Sequence, residues 1–258
     1  MIALMLAAAI CNAEVCPERQ NDFCWENDKF GMRAYGPGEY HKWSGWDIFN
    51  KTPGENGAAA KLLHGKGVNV NWHEVPFGGV LDNYTIGASR GLGGIAFWGD
   101  GEWKTYPDWE TSRVIHTGDD YCEFELVYPA CAAAGKMTCH VTLRRGERFF
   151  RCDVGFEHPE RFRGDFRAGP GLDLEPRRDH KGVLVEEPGI VSLFEDPKGA
   201  NGSTLKSSSG STLRCKDRSM KVAVTVIQAT GRIILKSSQG HVLRSFNRNR
   251  LTTLPATA

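Results

Sequence analysis

Apolar and polar residues alternate along most of this chain with the period of two that half-buried antiparallel strands show. In residues 29–36, Phe30, Met32 and Ala34 alternate with Arg33 and Tyr35. Val68, Val70 and Trp72 alternate with Asn69 and Asn71. Over 121–128, Cys122, Phe124, Leu126 and Tyr128 are set against Glu123 and Glu125. Cys139, Val141 and Leu143 repeat the pattern, and so do Phe150, Cys152, Val154 and Phe156. Gly, Asn, Asp and Pro punctuate these runs, with GDGE (99–102) and TGDD (117–120) placed as hairpin turns. Only residues 56–63 carry a helical pattern, and it is short. The pattern predicts an all-β fold, a large antiparallel β sandwich built from meanders.

The stretch from Val68 to Trp109 concentrates the chemistry. It holds Trp72, Trp98, Trp103 and Trp109, four of the seven tryptophans, together with His73, Glu74, Asp82, Tyr84 and a glycine-flanked Arg90. Indole faces suit the C–H faces of sugars, and charged side chains suit their hydroxyls, so a polar ring-shaped ligand is the class this mixture favours. Buried core tryptophans are the plainer alternative. An earlier stretch, 38–50, adds Tyr40, His41, Trp43, Trp46 and Asp47; so aromatic a segment is packed down or used. Candidate sugar contacts are therefore His41, Trp43, Trp46, Asn69, Asn71, Trp103 and Trp109.

Net charge limits the partners. A formal +1 over 258 residues gives no general affinity for nucleic acid. The charge is uneven, however: residues 1–199 carry 22 basic against 30 acidic side chains, and residues 200–258 carry 10 against 1. The serine-rich tail 204–258 keeps a single aromatic residue, Phe246, and two apolar runs able to form one hairpin, 222–227 and 232–235. It reads either as a terminal hairpin with a solvated basic face or as a segment foreign to the preceding domain.

The amino terminus has an apolar run, Ile2 to Ile10, followed by Cys11, Asn12 and Ala13. Residues 1–13 therefore read as a signal-peptide-like segment cut after Ala13, or else as a buried first element. Eight cysteines fit an oxidising, secreted or periplasmic setting, with Cys122, Cys131, Cys139 and Cys152 able to pair across neighbouring strands. No CxxC pair suggests zinc, and no run approaches the ~18 apolar residues of a membrane span. HExxH, GxSxG, GxGxxG and phosphate-loop patterns are all absent. The cofactor, if there is one, is not readable.

Several motifs together resemble the bacterial family known as domain of unknown function 4861. They are Asn21-Asp22, Trp25-Glu26-Asn27-Asp28-Lys29, Met32-Arg33, Tyr35-Gly36-Pro37, Ser44-Gly45, Asp47, His73-Glu74, Asp82-Asn83-Tyr84, Gly87 and Arg90 through Gly94, followed by Trp98 to Gly101 and residues 123–128. The resemblance covers about residues 21–203. It implies a secreted protein of polysaccharide-degrading bacteria and a supersandwich like that of aldose mutarotases and some polysaccharide lyases; it transfers no catalytic residue.

The residues themselves support two chemistries on a uronate-containing poly- or oligosaccharide. For β-elimination, Arg90 with Asn69 or Asn71 would neutralise the carboxylate, His73 would take the proton and Tyr84 would protonate the leaving oxygen. For hydrolysis, Glu74 and Asp82 would be the acid and base. Adjacent strand residues face opposite ways, so His73 and Glu74 share one cleft only across a bulge. A structural pairing of Asp82 with Arg90, or a non-catalytic glycan-binding or mutarotase-like module, is the alternative.

Overall fold

The structure, a computed structural model, describes residues 9–37, 45–52, 55–65, 78–82, 94–99, 102–106, 108–131, 135–158, 167–170, 183–187, 190–195, 220–225 and 232–239. Its first sheet is a five-stranded antiparallel meander of β1 (Asn12–Cys16), β2 (Asp22–Glu26), β3 (Phe30–Ala34), β4 (Trp46–Lys51) and β5 (Val80–Leu81), in that order. One short helix, α1 (Ala58–His64), precedes β5. A small sheet follows, in which β6 (Ile95–Gly99) lies between β7 (Glu102–Thr105) and β12 (Arg167–Pro170). The largest sheet has eight strands. A meander of β8 (Thr111–His116), β9 (Tyr121–Cys131), β10 (Gly135–Arg144) and β11 (Phe150–Phe156) meets a second one of β13 (Val183–Glu187), β14 (Ile190–Glu195), β15 (Met220–Thr225) and β16 (Arg232–Gln239). The two join through β11 and β16, with Phe150 opposite Leu235 and Cys152 opposite Ile233. The basic tail therefore supplies one hairpin, placed inside the sheet.

The five-stranded and eight-stranded sheets face each other as an all-β sandwich. Inward residues Phe23, Trp25, Phe30, Met32, Trp46 and Ile48 meet Cys122, Phe124, Leu126, Cys139, Val141 and Phe150, all essentially inaccessible to water. Trp25 spans the interface: its ring lies 5.4 Å from Trp46, 5.2 Å from Phe124 and 5.9 Å edge-on from Phe150. Tilted and edge-to-face pairs of this kind stabilise by about 0.5–1.5 kcal/mol beyond the area they bury. On β9 the odd and even positions separate as the sequence pattern predicts, with Cys122, Phe124, Leu126 and Tyr128 buried and Glu123 and Glu125 partly exposed.

The first sheet departs from that pattern, because it is buried on both faces. Every residue of β2 and β3 is inaccessible, including Asp22, Glu26 and Arg33. The cause is α1, whose Ala58, Ala59, Ala60, Leu62 and Leu63 pack with Cys16, Cys24, Phe49 and Val80 on the second face. The helix can lie this close because Gly31 has no side chain; a Cβ there would be 2.6 Å from that of Ala59. Each buried leucine of α1 contributes about 1.5–3 kcal/mol to holding it down.

The described amino-terminal residues and cysteines are part of the packed domain. Cys11 and Ala13 are core residues, Cys11 bridges to Gly118, and Asn12 and Ala13 pair with Glu26 and Trp25. A cut after Ala13 would therefore remove the first two residues of β1. Among the described residues, Cys11, Cys16, Cys24, Cys122, Cys139 and Cys152 are all buried free thiols, not oxidised pairs. The register explains this. Cys139 faces Val154 while Cys152 faces Val141, and Cys16 faces Asp22 while Cys24 faces Glu14. Each neighbouring thiol pair is therefore diagonal, and diagonal Cα atoms about 7–8 Å apart exceed the span a disulfide tolerates. No helix among the described residues is long and apolar enough to cross a membrane.

Candidate functional site

Two polar constellations stand out, one inside the first sheet and one on the outer face of the large sheet. The inner one is centred on Arg33 of β3. Its Nε and Nη2 donate to Asp47 Oδ2 at 3.1 and 2.9 Å, Nη1 to Asp22 at 3.3 Å, and Nη2 also to Asp82 at 3.2 Å and to the Tyr35 hydroxyl at 2.7 Å. Tyr35 Oη in turn donates to Asp47 at 3.1 Å. These side chains come together because Arg33 and Asp47 are direct partners in the β3–β4 ladder, while Asp82 follows β5 on the far side of β4. Asp22 also accepts from Gly36 N at 2.9 Å. A Cβ on Gly36 would fall 2.2 Å from the backbone of Asn21, so only glycine fits this corner.

Electrostatics in the cluster are lopsided, with three carboxylates around one guanidinium. Burial and the neighbouring Asp47 push Asp82 well above the usual carboxylate range, against the pull of Arg33 and Arg19. Burial opposes the charge of Arg33, but Tyr35 and the three aspartates outweigh it and hold its pKa above the ordinary value. Tyr35 is raised by burial and by Asp47. Asp82, a candidate acid or base in the sequence, is fully buried within this cluster. Among the described residues its guanidinium partner is Arg33, and Tyr84 and Arg90 lie outside them.

Two further candidates move into the core. Trp46 is 1% exposed, donates its indole N–H to the Tyr128 hydroxyl at 2.7 Å, and packs on Trp25 and Phe150. Trp109 is 6% exposed and meets Phe23 edge-on at 6.3 Å. Neither leaves a face for stacking a sugar, because inward positions of a two-sheet core demand large apolar groups. Trp103 lies on β7 opposite Trp98. His41, Trp43, Asn69, Asn71, His73, Glu74, Tyr84 and Arg90, and the strand predicted over 68–72, lie outside the described residues.

The outer constellation is marked by none of the sequence motifs above. On β10 and β11 the outward residues form cross-strand pairs, His140 with Asp153 and Thr142 with Arg151. With Arg144, Glu147 and Phe149 they line a groove of about 390 Å³. That volume lies within the usual range of small-ligand sites, about 300–1,000 Å³. Arg151 is paired with Asp153 through two contacts of 2.8 and 3.1 Å. His140 sits between Glu123 at 2.7 Å and Glu125 at 3.3 Å, and Glu125 also accepts from Arg113 at 2.8 Å. Arg113, followed by burial and His140, sets the Glu125 balance, and the carboxyl is held below its ordinary range.

The groove rim is pinned from the opposite sheet. Asn27, in the β2–β3 turn, donates to the carbonyls of Arg144 and Glu147 at 2.6 and 2.8 Å, while Gly146 N donates to Asp28 at 2.6 Å. Asn27 is itself fixed, its side-chain oxygen accepting from Lys29 N and Phe30 N and its carbonyl accepting from Lys51. Lys51 is also paired with buried Glu26. The run Arg144-Arg145-Gly146-Glu147-Arg148-Phe149-Phe150-Arg151, with four arginines against one acid, was the available sequence signal. Its strand periodicity masked it.

The family model for a domain of unknown function, DUF4861, matches residues 7–163, and the chain belongs to that family. The match begins before β1, ends shortly after β11 and includes both the Arg33 cluster and the groove. A curated relative, "Uncharacterized protein P7" of Formosa agariphila, is 28% identical over 204 residues, covering 72% of this chain and 48% of the relative. The chain thus spans about half the length of that relative. No solved structure matches.

Proposed function

We propose that the protein is an extracytoplasmic, carbohydrate-active member of its family that takes part in the breakdown of acidic, uronate-containing polysaccharide. The observation that carries this reading is the outer groove. It offers guanidinium and carboxylate groups, a hydroxyl and one benzene ring within a volume suited to one or two sugar units. Sugars need such a mixture, with paired donors and acceptors for the hydroxyls and an apolar wall for the C–H face. The apolar run 2–10 motivates the extracytoplasmic location.

Between the two chemistries, we favour β-elimination by His73, Tyr84 and Arg90 over hydrolysis, because burial of Asp82 against Arg33 argues against its serving as the partner carboxylate of Glu74. A non-catalytic glycan-binding role is the second reading, favoured by the position of the groove, whose polar lining is provided by β10, β11 and their turn. The test is to incubate the full chain with uronate polymers and follow both the absorbance of unsaturated uronide ends and retardation in polysaccharide-containing gels. Unsaturated product supports the lyase. Retardation without product supports the binding module. Neither signal on any acidic polymer refutes the reading as a whole.

A further inference from the structure

We propose that the outer groove is a subsite for one anionic sugar residue, a pyranose bearing a carboxylate or a sulfate, and that Arg144 is the group that pairs with the anion. This rests on the reading above that the ligand is a glycan. It adds which residue reads the charge and which chemical class is read.

Four observations converge on Arg144. First, the hairpin that shapes the groove carries Arg144, Arg145, Arg148 and Arg151 against the single acid Glu147, in a chain whose overall net charge is only +1. Second, the other cations of the lining are committed. Arg151 is held by Asp153, and His140 by Glu123 and Glu125. The guanidinium of Arg144 has no ion pair or side-chain hydrogen bond among the described residues. It lies with its central carbon 5.4 Å from the centre of the Tyr121 ring, an arrangement that orients the plane and leaves the N–H edges available. Third, the backbone beneath it is fixed, because Asn27 holds the Arg144 and Glu147 carbonyls and Asp28 holds Gly146 N. A subsite on a turn anchored this way is pre-organised, with less ordering entropy lost on binding.

Fourth, the acceptors are placed for hydroxyls. Thr142, Glu147 and Asp153 line the same groove as Arg144, and Asp153 already accepts from Arg151. A sugar ring supplies hydroxyl donors to these carboxylates. A phosphodiester backbone presents acceptors only and would meet two like charges, so a nucleic acid is disfavoured despite the arginines. Carboxylate and sulfate both match the forked N–H geometry of a guanidinium, and the two sources are separated by experiment.

Titration calorimetry on the full chain would use an oligogalacturonate, its methyl ester, a sulfated neutral oligosaccharide, the unsubstituted neutral one and a short oligonucleotide. The wild type is expected to bind at least one of the two anionic sugars about tenfold or more tightly than its uncharged counterpart, as one charge-assisted bidentate contact implies. Arg144→Gln should erase that difference, and Arg144→Lys should restore part of it. Arg113→Gln, on the same sheet face but outside the groove, should leave it intact. Preference for the carboxylate or for the sulfate identifies the source. If Arg144→Gln retains discrimination against the methyl ester, the anion is read elsewhere and this assignment falls while the glycan reading survives. If no sugar binds the wild type, both fall. Oligonucleotide binding that depends on Arg144 more strongly than any sugar binding does would overturn the ligand class. Unchanged thermal unfolding of these exposed variants keeps misfolding out of the comparison.

Discussion

Arg33 shows what sequence periodicity can and cannot reveal about a single residue. Its place opposite Phe30, Met32 and Ala34 was readable, but that alternation implies a solvated face, and Arg33 is instead sealed among Asp22, Asp47, Asp82 and Tyr35. The missing information was the cover on the second face, which comes from residues distant in sequence. Removing the guanidinium would leave buried carboxylates uncompensated, so Arg33→Met should destabilise by about 3–5 kcal/mol. Asp82→Asn should behave differently. The folded-state pKa of Asp82 lies above its unfolded value, so its contribution is fully present below the unfolded pKa and is lost as pH rises through the folded one. Near neutral pH the neutral amide should therefore match or exceed the wild type, with its relative advantage shrinking in acid. Denaturant titrations of both variants at several pH values check this; a loss for Asp82→Asn as large as that for Arg33→Met would show that the ionised carboxylate is required.

At the scale of elements, strands with one wet face were the most legible. β9, β10 and β11 lie where the period of two placed them, because a two-sheet core on one side and water on the other enforce alternation. The GDGE and TGDD turns also fall between paired strands, with Gly99 opposite Glu102 and β8 antiparallel to β9. β1 was hidden, since Cys11 to Cys16 continues an apolar run that resembles an export signal. The helical pattern begins within two residues of the observed helix, but nothing local to it specifies the anchoring. His64 at its last turn bonds Glu18 at 2.7 Å and Glu14 at 3.0 Å. Partial burial lowers the pKa of His64, but the two glutamates outweigh it and raise the value to about 9 from an ordinary 6.5. The sign follows: this clamp stabilises fully below about pH 6.5 and is lost as pH rises through about 9. All three side chains are more than a third exposed, so solvent screening keeps the effect within roughly 0.2–1 kcal/mol. The stability difference between wild type and His64→Gln should therefore be largest at about pH 6 and low salt, and should vanish by about pH 10. A difference that persists there would assign the effect to packing.

For the molecule as a whole, the least legible feature was how its two strand groups join. Residues 204–258 have few apolar side chains and almost no acids, which suggested an appendage carrying at most one hairpin. The hairpin is there, but β16 pairs with β15 on one side and with β11 on the other, so among the described residues β13, β14 and β15 join the ladder of the large sheet through it. Such a central strand cannot spare a ladder hydrogen bond, and a proline within it removes a donor and forces a fixed φ. Ile234 lies opposite both Arg151 and Thr225, at the middle of the junction. Ile234→Pro is therefore expected to detach β13 to β16 together and to leave β11 as an open edge beside the groove, while the packing of β1 to β5 against β8 to β11 remains. Limited proteolysis should then release fragments cut anywhere after about residue 160 and spare a core ending near Phe156. In the wild type, cleavage is expected first between Asn201 and Arg218, with 220–239 protected. If the wild type loses 220–239 as quickly as it loses 201–218, β16 does not hold the sheet together and the large sheet ends at β11.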